Sequence, residues 1–257
     1  MLVATVLLYI GLAGCSILAI AMVLQYDLHK REPLGIVLTS IAMGAAAMYA
    51  CMAWQRAFVE ANALEIAYTD IQRWALLAGV TEETTKLVVV VAVAVFFRRD
   101  FDEPIDGLIY GSMAGLGAGI MESVYVQGAP EFLTTLPKEE PIRLLGHLVM
   151  GGIGGFGIGL VATISWGHLV TALVCFLAAV SLHVTWDVLA YRMADEYGPG
   201  GQPPMRDTAL SIGLMLGGFS FFKLLVACCP RCLTKDTRAP KPASSPDRIS
   251  IGSTPSK

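Results

Sequence analysis

Charge is scarce in this chain. Asp, Glu, Lys and Arg make up 15% of its 257 residues while apolar side chains make up 55%, a balance that excludes an ordinary soluble domain. There is no basic excess either. The net charge is −3, and the Lys and Arg residues are scattered or confined to the C-terminal tail, so nothing indicates nucleic-acid binding. The six cysteines suggest no disulfide framework. Cys15, Cys51 and Cys175 stand singly in apolar runs, where Cys acts as a small hydrophobe. Cys228, Cys229 and Cys232 cluster at the end of the last run; a four-ligand metal site there would need a further partner, so lipidation or no special role is expected. The chain also contains no H-E-x-x-H zinc motif and no recognisable inverted repeat.

What it has instead is long apolar runs. Seven are long enough to cross a hydrocarbon core as helices: Leu2–Leu24, Leu34–Gln55, Trp74–Phe97, Gly107–Gln127, Ile142–Ser165, Leu169–Tyr191 and Thr208–Cys229. The expected fold is all-α, a polytopic membrane helix bundle with about seven transmembrane helices occupying residues 1–234. Arg56–Arg73 reads as an interfacial helix or an extension of its neighbours, and Pro104 as a helix start. Residues 235–257, rich in Pro, Ser and basic groups, read as a disordered tail with no part in any site. Leu12-Ala13-Gly14-Cys15 resembles a lipoprotein cleavage site, but no Lys or Arg precedes the apolar run and it continues to Leu24. An uncleaved first helix is therefore expected.

Orientation follows from the basic residues. Lys30, Arg31, Arg98 and Arg99 lie in one set of connections, joined by Arg231, Lys235, Arg238, Lys241, Arg248 and Lys257 of the tail. The opposite set holds Arg56, Arg73, Lys138, Arg143, Arg192 and Arg206. This places the N-terminus outside and the C-terminus in the cytoplasm of a cell-membrane protein.

Against this apolar background a few ionisable groups stand out. Glu82, Glu83 and Lys86 sit inside the third run, and each charged carboxylate at membrane depth costs roughly 2.5–3.5 kcal/mol on insertion scales. Lys86 can partner Glu82 at i,i+4 or Glu83 at i,i+3, which leaves one carboxylate without a local partner. Glu122, His147, His183 and Asp187 follow in the next three runs. Counted at 1.5 Å per residue from the same membrane face, Glu82 and His183 lie roughly 12 Å deep, and Glu122 and His147 roughly 8 Å. A buried carboxylate can take a proton from water, and histidine can bind a metal or donate to a developing oxyanion. Asp187 lies one turn from His183 on the same helical face, placed to orient its ring. These parts suit amide hydrolysis, and equally a proton relay. An inter-helix polar clamp is the plainer reading of the same residues.

Glu82-Glu83-x-x-Lys86 resembles the E-E-x-x-K motif of the PrsW intramembrane proteases, within the superfamily of CAAX prenyl proteases and bacteriocin-processing enzymes. Phe101–Ser123 (FDEPIDGLIYGSMAGLGAGIMES) is similar to the second family block, and His147 and His183-Val-Thr-Trp186-Asp187 to the two histidine motifs. The resemblance covers about residues 74–191. It implies that Glu82 or Glu83 activates water while the other pairs with Lys86. It implies too that Glu122, His147 and His183 complete the site, as ligands of a metal such as zinc or as polarising groups in a metal-free glutamate mechanism, with Asp187 supporting from behind. The substrate class it implies is a membrane-anchored protein, such as a single-span regulator, cut near the extracytoplasmic side of the bilayer. Where the family has Phe-Ala before the fourth-run glutamate and Asn after it, this chain has Ala118, Gly119 and Ser123, which is expected to leave more room beside the site. Two rivals use the same residues: a non-catalytic scaffold related to the multi-span subunit of gamma-secretase, and a proton-coupled transporter. Loss of cleavage on changing Glu82 or Glu83 separates the first, and substrate-dependent proton flux the second.

The recurrence of Gly111, Gly115 and Gly119, and of Gly151, Gly155 and Gly159, predicts close packing of the fourth and fifth helices, which would carry Glu122 towards His147.

Overall fold

The computed structural model describes residues 10, 13–14, 16–18, 20–25, 32–61, 70–127, 140–197 and 205–227. The first apolar run (α1) is helical at all its described positions up to 24. Six long helices follow: α2 (Leu34–Ala61), α3 (Ile71–Phe96), α4 (Pro104–Gln127), α5 (Glu140–Thr163), α6 (Leu169–Tyr197) and α7 (Met205–Ala227). A single 3-10 turn, Trp166–His168, joins α5 to α6. No strand occurs among the described residues, and the all-α expectation holds.

The centre of the bundle is α4, in which every residue from 104 to 119 is buried. A helix enclosed on all sides must present small residues to its neighbours, and here the glycines do so. A side chain at Gly111 would strike the backbone of Gly151, and one at Gly115 the carbonyl of His147. Going the other way along α5, Gly155 and Gly159 meet the carbonyls of Gly107 and Pro104. The two helices therefore run antiparallel in backbone contact. Gly44 of α2 meets Ala114, and Gly117 meets Ile41, so α2 closes on the opposite flank of α4 in the same way. Gly79 seats α3 against Val184 of α6, and Gly157 seats α5 against Ala172. The outer helix α7 touches the rest through Met215, Gly218 and Phe222.

Each of α2 to α7 extends a few residues beyond its apolar run at one end. The Arg56–Arg73 segment resolves at both ends as extension: α2 continues to Ala61, and Asp70 opens α3 by accepting from the Arg73 amide. Pro104 is the first residue of α4, where its missing N–H costs nothing. Asp106 accepts from the amides of Asp102 and Glu103 at 2.8 and 2.7 Å, fixing the entry to that helix. One turn further in, the buried Tyr110 hydroxyl donates to Glu32. Asp106 thus serves the fold at the α3–α4 connection and sits about 24 Å along α4 from Glu122.

Among the described residues four helical segments are long and apolar enough to cross a membrane: Leu34–Ala61, Pro141–Thr163, Trp166–Arg192 and Met205–Ala227. The expected count of about seven is higher: the first run lies largely outside the described residues, and composition explains the other two. At 26 and 24 residues, α3 and α4 have the length. They lose apolar character to Glu82, Glu83 and Lys86 in one, and to Glu122 and the glycines in the other. Cys15, Cys228, Cys229, Cys232 and the 235–257 tail lie outside the described residues, whereas Cys51 and Cys175 are free and buried.

Candidate functional site

The costly groups of α3 share its buried face. Ala75, Ala78, Gly79, Glu82, Glu83, Lys86, Val89, Val90 and Val93 are spaced three or four apart and all turn inward. Lys86 is 1% exposed and Glu83 2%. Charges at that depth persist only when paired. Lys86 Nζ lies 2.5 Å from Glu83 Oε1, so the i,i+3 partner takes the lysine and Glu82 is left without it.

The same Glu83 oxygen receives His183 Nδ1 from α6 at 2.6 Å. This makes a continuous arm of cation, carboxylate and imidazole: Lys86, Glu83, His183. A second arm of the same kind comes from α4 and α5. Arg143 Nη1 lies 2.5 Å from Glu122 Oε2, and that oxygen lies 2.8 Å from His147 Nε2. The two imidazoles meet edge to face, 5.4 Å apart at 74°.

Glu82 completes the cluster. It, His147 and His183 each bring a ligand-type atom within 4.8 Å of the others, and all three are buried. Among the described residues Glu82 Oε2 and His147 Nδ1 have no hydrogen-bond partner, and Glu122 Oε2 and Arg143 Nη1 meet their neighbours as ion-pair contacts and not as aligned hydrogen bonds. His183 Nε2 is 3.6 Å from Glu82 Oε2 and 3.5 Å from Asp187 Oδ2, both beyond hydrogen-bond length. Each ring therefore has one nitrogen against a carboxylate oxygen, hydrogen-bonded for His183 and at ion-pair distance for His147, and one uncommitted. This is how metal-binding histidines are commonly oriented, with the outer carboxylate setting the tautomer. The donor set suits zinc, for which two imidazoles and one carboxylate leave an open position.

All the residues singled out from sequence are thus adjacent in space. Glu82, Glu83, Lys86, Glu122, His147, His183 and Asp187 form one connected network across α3, α4, α5 and α6. The compact ligand-type group contains Glu82, while Glu122 lies against Arg143 and His147.

Three features of the site are not evident from sequence. Arg143 reads there only as a connection charge, yet it reaches Glu122, the Gly119 carbonyl at 3.3 Å, and the Ser123 hydroxyl. Its spacing of four from His147 is the available signal. Gln55 of α2 is buried and donates to Thr81 at 2.7 Å, bracing α3 beside Glu82. Trp74 donates to the Tyr191 hydroxyl at 3.2 Å, tying α3 to α6 one turn beyond Asp187. The expected room at positions 118 and 119 is also corrected. Ala118 packs with Met48, Cys51 and Met52, and a Cβ at Gly119 would press on Leu144 and His147 at 3.2–3.3 Å. Small residues there bring the helices together.

Neither a curated protein nor a solved structure matches the chain. A family model does, described as PrsW family intramembrane metalloprotease, and it matches residues 32–205. That span holds both charged arms and Glu82 on four consecutive helices. With the apolar helices around them, it marks a membrane protein, and the chain belongs to the PrsW family of intramembrane metalloproteases.

Proposed function

We propose that the chain is an intramembrane endopeptidase whose reacting centre is bounded by Glu82, His147 and His183. The observation that carries this reading is the pair of oriented imidazoles, each leaving one nitrogen uncommitted next to a carboxylate oxygen without a hydrogen-bond partner. A purely structural clamp gains nothing from turning two uncommitted ring nitrogens and a carboxylate oxygen towards one another, because unpaired buried polar groups are costly.

Glu82, His147 through Nδ1 and His183 through Nε2 would hold a zinc ion. Such an ion supplies polarisation of the scissile carbonyl and a more acidic water. The chain's own groups do the rest. Glu83 holds the proton on His183 Nδ1, and Lys86 fixes Glu83. Glu122 holds the proton on His147 Nε2. Burial excludes bulk water, which strengthens every charge interaction inside. Glu122 and Asp187, with side chains 24% and 14% exposed against 8% for Glu82, lie nearer the surface of the bundle than Glu82 does. In a metal-free mechanism, Oε2 of Glu82 is the atom that accepts the proton of the attacking water. The proton then passes to the leaving amide nitrogen as the C–N bond breaks.

The basic-residue count turns this centre to the extracytoplasmic side. The substrate class is a membrane-anchored protein, with a single-span regulator as the leading type. The test is cleavage of single-span substrates by purified protein in detergent, comparing wild type with Glu82→Gln and His183→Ala, with and without a strong chelator. Cleavage that both variants lose supports the reading. Folded wild type that cuts nothing across a broad panel overturns it in favour of a non-catalytic scaffold.

A further inference from the structure

Arg143 sits at the outer end of one charged arm, and its contacts are more specific than charge neutralisation needs. One guanidinium nitrogen faces Glu122 Oε2 at 2.5 Å. The other donates to the Gly119 carbonyl at 3.3 Å and to Ser123 Oγ. Ser123 Oγ donates in turn to the Gly119 carbonyl at 2.8 Å. The fork thus grips the last turns of α4 at three points around Glu122. Its own backbone lies one turn from His147 on α5, so a single side chain fixes both the carboxylate and its distance from the ring.

We propose that Arg143 is a positioning residue for the reaction, holding Glu122 so that it accepts the Nε2 proton of His147 and leaves Nδ1 free beside Glu82. The geometry requires a fork. Glu122 is the most exposed carboxylate of the network, with 24% of its side chain accessible. Without Arg143 it can turn to solvent, which releases the His147 ring and its tautomer. Lysine would supply a charge but cannot face Glu122 and bind Gly119 and Ser123 at the same time. Lys86 plays the matching part for Glu83 and His183, but there the carboxylate is enclosed and a point charge is enough. Ser123 belongs to the same device, since its small hydroxyl accepts from the guanidinium where the family pattern has a larger amide.

The kinetic part of the test rests on the proposed peptidase reading, and the spectroscopic part does not. Full-length protein labelled with ¹⁵N-histidine in detergent is compared as wild type, Arg143→Lys and Arg143→Gln, with the exposed Arg56→Gln as control and folding followed by thermal unfolding. The chain has four histidines, so signals are assigned by single substitutions. The expected result is an Nε2–H tautomer for His147 in wild type and in Arg56→Gln, and its loss in Arg143→Gln. On a cleaved substrate, kcat should fall roughly 10–100-fold in Arg143→Gln and less in Arg143→Lys, with KM within about twofold. An unchanged His147 tautomer in both Arg143 variants overturns the proposal. So does a loss confined to KM, which would make Arg143 a substrate contact. If wild type cuts nothing, the peptidase reading fails while the tautomer comparison still decides the role of Arg143. If Arg143→Gln does not fold, Arg143→Lys alone decides by the same two readouts.

Discussion

Glu83 Oε1 receives His183 Nδ1 at 2.6 Å, across the boundary between α3 and α6. The contact separates two glutamates that are neighbours in sequence. Glu83 is committed twice, to His183 and to Lys86. Glu82 keeps an oxygen without a hydrogen-bond partner and faces the ring nitrogen that Glu83 does not use.

The two glutamates should therefore fail differently. Glu83→Gln leaves Lys86 as a buried charge without its counter-ion, a type of change that costs about 3–5 kcal/mol. It should lower the unfolding temperature and abolish cleavage together. Glu82→Gln removes no hydrogen-bonded partner and only the 3.6 Å contact with His183, so it should abolish cleavage with stability changed by less than about 1 kcal/mol. Thermal unfolding in detergent alongside a cleavage assay reads both. Equal destabilisation by the two variants would contradict this division of roles.

The glycines divide in the same testable way. A Cβ at Gly115 would meet the His147 carbonyl, and one at Gly111 the Gly151 carbonyl, both rigid backbone atoms. Gly217, on the outer helix, has nothing within 4 Å of the same position among the described residues. Gly115→Ala and Gly111→Ala should each destabilise by about 1–3 kcal/mol through forced separation of α4 and α5. Gly217→Ala should be neutral or slightly stabilising, since alanine favours helix. Gly115→Ala should reduce cleavage more than Gly111→Ala, because it displaces the turn that carries His147. The division fails if Gly217→Ala proves as harmful as the other two.

Much of this arrangement is legible in the amino-acid sequence, for specific physical reasons. The cost of Glu82, Glu83 and Lys86 in an apolar helix marks them whatever the fold. The shared depth of Glu122, His147 and His183 follows from helical rise alone. The partner of Lys86 is not legible, because i,i+3 and i,i+4 are both in reach on a helix and His183 decides between them. Arg143 is hidden by its place near a helix end, where a basic residue ordinarily meets water. Ala118 and Gly119 mislead because small residues suggest space until the neighbour that fills it is known. The count of membrane spans runs high at α3 and α4 for a related reason: the residues that build the site make them less lipid-like than their neighbours.

Metal removal addresses the donor set itself. Zinc held by Glu82, His147 and His183 predicts about one ion per chain after purification, less in His147→Ala and Glu82→Gln, and loss of cleavage on chelation that zinc restores. Elemental analysis of the three proteins and a chelation–restoration series measure this. Full cleavage by metal-stripped protein would instead assign the proton transfer to Glu82 alone.

Orientation decides which compartment the substrate's cut site occupies, so it can be tested apart from chemistry. Arg99 and Gly167 are exposed in the connections α3–α4 and α5–α6. Tyr125 is 41% exposed near the opposite end of the bundle, one turn from Glu122. In a background with all six native cysteines replaced, Tyr125→Cys should react with an impermeant thiol reagent added to intact cells. Arg99→Cys and Gly167→Cys should react only after the membrane is opened. The basis is electrostatic, since Arg98 and Arg99 favour the cytoplasmic face, and α4 must then carry Glu122 towards the other. A reversed pattern would keep the site and turn it to the cytoplasm, moving the expected cut to the inner membrane surface. Labelling of Tyr125→Cys and Arg99→Cys from the same side would mean that α4 does not cross the bilayer, and the site would then have to be placed at an interface.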